Sequence, residues 1–250
     1  MPYTLHAMDS QTQNHLIELN RRFYDQFATS FSDTRNRAQP GVRQLVSNLL
    51  SSATILDVGC GNGTLACALK KAGYSGQYHG IDVSEGLLSS ARAALGEAKQ
   101  NPFTFQQADL SDPDWPEQLP FKRVDALVSF AVLHHLPSND LRLRTAQAFH
   151  NLINPEGLVA ISVWQWRNSP RLEKRVVPWS ETGLEPGDVD EGDVLLDWRA
   201  SDQVGLRYVH TFTEDSLSQL AEEAGFRVTK SFLSDGKPGN LALYQTWQPV

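Results

Sequence analysis

Three aspartates recur at near-equal intervals in the first half of the sequence: Asp57, Asp82 and Asp109, 25 and 27 residues apart. Each stands at or just beyond the end of a short apolar run. The spacing therefore predicts three carboxylates along one edge of a sheet, where open α/β folds bind their ligands. Ionised carboxylates are acceptors, suited to hydroxyl, amine and amide donors.

Around the first of them runs Ile55-Leu56-Asp57-Val58-Gly59-Cys60-Gly61-Asn62-Gly63. This is a strand feeding a glycine turn before a helix, with Cys60 as a small filler. Gly59, Gly61 and Gly63 let the backbone approach a ligand closely and adopt left-handed dihedrals. A dinucleotide fingerprint needs its third glycine where Thr64 stands, and Asp57 before the turn would repel a pyrophosphate. A cationic ligand fits an acid there better. Asp82 would accept both ribose hydroxyls, Asp109 with the Leu110 amide would read an adenine edge, and Asp57 either braces its loop or meets an amine.

Further along, His134 and His135 follow the strongest apolar run, one expected to face the cleft and the other to brace the loop. Trp164 ends the next apolar run, where it stacks on a base or covers the core, and His210 is a further pocket candidate. Trp166, Trp179 and Trp198 read as lid packing.

The elements that must position these groups follow from periodicity. Apolar residues at helical spacing predict a helix over Gln11 to Phe27 and another from Val42 to Leu50. Strands are expected at Ala53 to Val58, Gln77 to Ile81, Phe103 to Gln107, Val124 to Ala131 and Leu158 to Trp164. Helices alternate with them: Thr64 to Lys71, a Ser84-capped helix to about Lys99, and Ser138 to Leu152, closed by the Asn154-Pro155-Glu156-Gly157 turn. This alternation implies a parallel sheet covered on both faces. From Gln165 to about Val209 the pattern dissolves, which reads as an insertion over the site. A Thr213-capped helix and two brief strands, Phe226 to Leu233 and Leu241 to Trp247, close the chain. The expected division is a helical entry segment, 1–52, and a second domain, 53–250, with its insertion at about 165–209.

The 250 residues carry a net charge of −7. Glu181, Glu185, Asp188, Asp190, Glu191, Asp193 and Asp197 fall in one stretch without Lys or Arg, so the acidity is expected in a loop over 178–202. No block of basic residues offers an obvious phosphate track. Cys60 and Cys67 have neither metal nor disulfide spacing, which fits reduced thiols and a cytoplasmic protein with no metal site. Neither a targeting segment nor a membrane span is evident.

Over about Ala53 to Val250 the sequence resembles the class I S-adenosylmethionine-dependent methyltransferases. The glycine turn, Gly80-Ile81-Asp82, Gln107-Ala108-Asp109-Leu110, Val132-Leu133-His134-His135-Leu136 and Asn154-Pro155-Glu156-Gly157 carry the likeness. It implies a Rossmann-like α/β fold with a seven-stranded sheet, five parallel strands plus a closing antiparallel pair, and helices on both faces. It implies S-adenosylmethionine as cofactor, with Val83 and Ala131 joining the cofactor edge.

A narrower resemblance is to the tRNA wobble-uridine carboxymethyl methyltransferases. Its carriers are Phe23-Tyr24-Asp25-Gln26-Phe27 through Phe31-Ser32-Asp33-Thr34-Arg35, Ser129 to Leu136, Val163-Trp164, Gly192 to Trp198, and Arg207-Tyr208-Val209-His210-Thr211-Phe212. The sequence departs from that group at Thr64, at Gln165-Trp166-Arg167 and in the acidic stretch. The likeness implies methyl esterification of a carboxylate, with Arg35 and Arg207 as candidates for a bidentate clamp, His135 facing the transferred methyl, and a small activator protein as partner. Two alternatives stay open: a methyltransferase of small metabolites acting on O, N or C, and a cofactor-binding subunit without turnover.

Overall fold

The computed structural model describes residues 8–34, 37–49, 53–96, 102–200 and 203–250. Arg35 lies outside them.

Helix α1 (Ser10–Thr34) is longer than its apolar pattern suggested. Leu16, Asn20, Phe23 and Phe27 are buried along one stripe, and Asp9 accepts the Gln11 and Thr12 amides at 2.8 and 2.9 Å to cap it. Helix α2 (Pro40–Leu49) starts on a proline, whose missing N–H costs nothing in the first turn.

Strands β1 (Thr54–Val58), β2 (Gln77–Asp82), β3 (Phe103–Gln107), β4 (Val124–Phe130) and β5 (Ile153–Trp164) pair in parallel, with α3 (Thr64–Lys71), α4 (Glu85–Leu95) and α5 (Asn139–Leu152) in the crossovers. Helix α4 ends before the expected Lys99 because Gly96 takes φ 74 at its C-cap. The Asn154–Gly157 turn is an excursion within β5: Val124 pairs with Ile153, but Ala126 pairs with Leu158.

The sheet order is β3-β2-β1-β4-β5-β10-β9. Strand β9 (Phe226–Ser234) is outermost, and β10 (Ala242–Pro249) runs antiparallel to both β5 and β9. The closing strands are thus antiparallel to each other, as expected, yet only β10 opposes the sheet. Helix α7 (Glu214–Glu223) provides a crossover that restores the parallel direction before the hairpin reverses it. Apolar layers cover both faces, one gathering Phe149, Leu217 and Trp247, the other Leu45, Leu69 and Tyr78.

The insertion is not patternless. It holds a short helix, α6 (Pro170–Glu173), and a three-stranded antiparallel sheet of β6 (Val176–Val177), β7 (Asp193–Ala200) and β8 (Gln203–His210). The expected acidic loop is in part this sheet. Asp190 meets Arg142 at 2.9 Å, Asp193 meets His210 at 2.7 Å, and Asp197 meets Arg199 and Arg175 at 2.9 and 3.3 Å. These acids read as loop because their basic partners lie beyond the acidic stretch.

Candidate active site

Past Val58 the chain turns through Gly59, Gly61 and Gly63, all with positive φ. A Cβ on Gly59 would lie 2.2 Å from Val132 Cγ2, and one on Gly63 would lie 2.9 Å from the Ala91 Cβ; around Gly61 there is open space. Asp82, at the end of β2, fastens the turn. Its Oδ2 accepts the Gly61 N–H at 2.9 Å and its Oδ1 the Ser84 N–H at 2.9 Å. The Gly59 and Cys60 amides both donate to the Ile81 carbonyl.

Beneath the turn Asp57 is buried, and the Tyr78 hydroxyl donates to it. Burial pushes its carboxyl up to about 7, against the opposing pull of that hydrogen bond, and the nearby Asp82 adds to the rise. Burial also raises the Cys60 thiol, with Asp57 and Asp82 adding to it, so the sulfur stays protonated and serves as packing.

A cavity of about 440 Å³ opens over this edge. Asp57, Gly59, Cys60, Gly61, Asp82, Val83, Asp109, Leu110, Ala131, His135 and Trp164 all line it. Four other expected site residues do not. Gly63 packs on α4. His134 is fully buried, stacks on Trp164 at 5.5 Å and accepts the Trp164 N–H through Nδ1. His210 is held by Asp193 behind the wall. Arg207 is 1% exposed and lines a smaller neighbouring cavity.

Asp109 is engaged on both oxygens: Oδ2 meets Arg21 Nη2 at 2.6 Å, and Oδ1 accepts the Ser111 amide and hydroxyl at 2.9 and 2.7 Å. Arg21 comes from α1, so the entry helix closes one side of the cavity.

The far end of the cavity is aromatic. Tyr24, His135, Trp164 and Trp198 line it, with the Tyr24 and His135 rings edge to face at 5.5 Å. His135 Nδ1 lies 3.2 Å from the Tyr208 carbonyl, which can only accept, so in the neutral ring Nδ1 carries the hydrogen and Nε2 the lone pair. Asn20 donates to the carbonyls of His135 and Tyr208 at 3.0 and 3.2 Å. Behind Trp164 lies Arg207, its guanidinium carbon 4.3 Å from that ring's centroid, 4.9 Å from Phe23 and 5.7 Å from Trp198. Burial lowers the Arg207 pKa while Tyr24 partly restores it, and an arginine keeps its charge regardless. Its Nε and Nη1 have no partner among the described residues.

Sequence reasoning missed Asn20, Arg21, Tyr78 and Arg142. Asn20 left a signal, a polar residue between Leu16 and Phe23 in the buried stripe of α1. Arg142 is buried in α5 and donates to the Leu136 carbonyl, the Tyr208 hydroxyl and Asp190, tying the insertion to the loop after β4.

The sequence matches the methyltransferase domain family over residues 30–231. The chain belongs to this family. The methyltransferase is 29% identical over 213 residues to a putative methyltransferase of Encephalitozoon cuniculi, covering 83% of this chain and 86% of that protein. It is 26% identical over 234 residues to the tRNA (carboxymethyluridine(34)-5-O)-methyltransferase of Schizosaccharomyces pombe, covering 87% and 91%. The protein of the same name from Arabidopsis thaliana is 32% identical over 57% of this chain, a match spanning only 32% of that longer protein.

Among solved structures, the fold is similar to the 1,6-didemethyltoxoflavin-N1-methyltransferase of Burkholderia thailandensis, at TM-score 0.65 and 19% identity over 100% of this chain and 93% of that one. It is also similar to the magnesium protoporphyrin IX methyltransferase of Synechocystis, at TM-score 0.61 and 16% identity over 94% and 97%. The Synechocystis structure contains bound S-adenosylmethionine. The site fits it: an open glycine turn, a half-buried acid at the end of β2 and a long cavity along the carboxyl edge. Among the described residues there is no cluster of His, Cys, Asp or Glu able to hold a metal, and no helix is long and apolar enough to cross a membrane.

Proposed function

We propose that this enzyme methylates the carboxylate of a carboxymethyl group on a tRNA wobble uridine. The observation that carries the reading is the charge of Arg207, a buried cation packed against Trp164 in the cavity wall. A positive charge set in an apolar wall acts with little screening, and it favours an anionic acceptor at the adjoining end of the cavity. The relatives' printed names support the substrate class.

The cofactor supplies a methyl group on a sulfonium, open to direct displacement. Asp82 would take the ribose hydroxyls, its orientation fixed by the Gly61 and Ser84 amides. The Leu110 amide would meet the adenine edge, beside an Asp109 set by Arg21. Asp57 would offer negative charge to the amine.

A carboxylate acceptor is already ionised at neutral pH, so the enzyme's task is orientation. His135 fits that role: its Nδ1 hydrogen is committed to Tyr208, and Asn20 fixes its backbone. Tyr24, Trp164 and Trp198 offer surfaces on which a base can stack.

The test is to incubate the enzyme with S-adenosylmethionine and RNA carrying 5-carboxymethyluridine, then to digest and weigh the nucleosides. Conversion to the methyl ester is expected. Methylation of a base nitrogen or a ribose instead would overturn the reading.

A further inference from the structure

We propose that the small cavity behind the aromatic wall is an oxyanion subsite for a backbone phosphodiester of the RNA acceptor. This deepens the substrate reading above and rests on it. The cavity, of about 80 Å³, is lined by Arg171, Arg175, Arg199 and Arg207, with Asp197 as its one carboxylate.

Asp197 is shared by Arg199 and Arg175, at 2.9 and 3.3 Å. Arg171 has no ion pair among the described residues. Arg207 is 1% exposed, and its Nε and Nη1 are without partners there. Four cations around one carboxylate, one of them a fully buried arginine with unused donors, make a site short of an anion. Burying such donors unpaired is costly. Guanidinium groups match the paired oxygens of a phosphate.

Position argues for a phosphodiester rather than the acceptor carboxylate. The reacting carboxylate must lie in the main cavity with the cofactor, whereas this cavity has its own lining of Arg175, Leu196, Asp197, Arg199 and Arg207 and adjoins the main one across Arg171, Leu172 and Trp198. Arg171 and Arg199 are at the surface. A chain with its base on the aromatic wall can therefore run over that rim and set a neighbouring phosphate among the arginines.

The experiment uses the full chain saturated with S-adenosylhomocysteine. Calorimetry with inorganic phosphate should show binding near ~1–10 mM, about 3 to 4 kcal/mol. Affinity should fall at least tenfold in the double variant Arg171→Gln/Arg199→Gln, whose surface positions spare the fold. The salt dependence of binding a single-stranded RNA heptamer should become shallower in that variant, by about 0.7 in log–log slope for each phosphate that is no longer neutralised. Equal phosphate affinity in both proteins would overturn the site. An unchanged heptamer slope in a variant that no longer binds phosphate would overturn the phosphodiester as its ligand. Displacement of 5-carboxymethyluridine nucleoside by phosphate would assign the arginines to the acceptor carboxylate and overturn the proposal. None of these readouts requires methyl transfer, so failure here is distinct from failure of the substrate reading.

Discussion

Asn20 and Tyr208, 188 residues apart, exchange a pair of hydrogen bonds: the Tyr208 N–H donates to Asn20 Oδ1 at 2.9 Å, and Asn20 Nδ2 donates to the Tyr208 carbonyl at 3.2 Å. Asn20 Nδ2 also donates to the His135 carbonyl, and His135 Nδ1 donates to that of Tyr208. One amide thus joins the entry helix, the loop after β4 and the inserted sheet. The side chains that would meet the acceptor are held together by residues far apart in the sequence.

Replacing Asn20 with Ala takes its partner from the buried Tyr208 N–H and from the His135 carbonyl, while the Tyr208 carbonyl keeps His135 Nδ1, at about 1–3 kcal/mol for each group left unpaired. The thermal midpoint should fall by roughly 2–4 °C for each kcal/mol of that cost. Methyl transfer should fall more than cofactor affinity does. Calorimetric scans and cofactor titrations on the variant check this; an equal drop in both would mean that Asn20 does not position His135.

Asp57 gives the enzyme a pH signature. Its carboxyl, raised from the ordinary 3.8 to about 7 by burial, binds its proton more tightly in the folded protein than in the unfolded chain. The stability it contributes is fully present below pH 3.8 and is lost as pH rises through about 7. Binding a cationic cofactor should draw the group toward ionisation, releasing protons between about pH 6 and 8. Calorimetry in buffers of different ionisation enthalpy should find that release in the wild type and not in Asp57→Asn. Identical proton counts would remove Asp57 from the cofactor's electrostatics.

Arg207 separates function from stability. As a buried cation with unsatisfied donors it costs desolvation, and a methionine would fill much of the same volume without that cost. Arg207→Met should melt no lower than the wild type, while kcat/KM for a carboxylate acceptor falls at least ~10-fold, equivalent to about 1.4 kcal/mol. A variant with unimpaired kcat/KM would contradict the assignment.

Asp82 bears on cofactor and backbone together. Asp82→Ala should weaken S-adenosylmethionine by about 1.5–3 kcal/mol, the scale of hydrogen bonds to a charged group. It also frees the Gly61 and Ser84 amides, so hydrogen exchange in the glycine turn should rise. Unchanged affinity in calorimetry would refute the role.

Much of the fold was legible because period and punctuation agree locally. Apolar runs ending in Gly59, Asp82 and Phe130 read as parallel strands, and Ser84 and Thr213 cap the helices that follow them. That Asp57, Asp82 and Asp109 share one cavity edge was legible for the same reason, since strand ends bring them to one side. The inserted sheet was not. Its strands carry Asp193, Asp197 and Arg207 at buried positions, tolerable only because Tyr208, His210, Arg175 and an aromatic box receive them, and those long-range partners leave no periodic trace. The place of β10 between β5 and β9 was hidden likewise, because a short hairpin specifies antiparallel pairing but not which strand lies inside.

The most direct test of the central claim is transfer of tritium from methyl-labelled S-adenosylmethionine into bulk tRNA, followed by mild alkali. Label is expected in the tRNA fraction, released by alkali as methanol, the behaviour of a methyl ester. Label that resists alkali, or that enters only a small-metabolite fraction assayed beside it, would contradict the proposed acceptor.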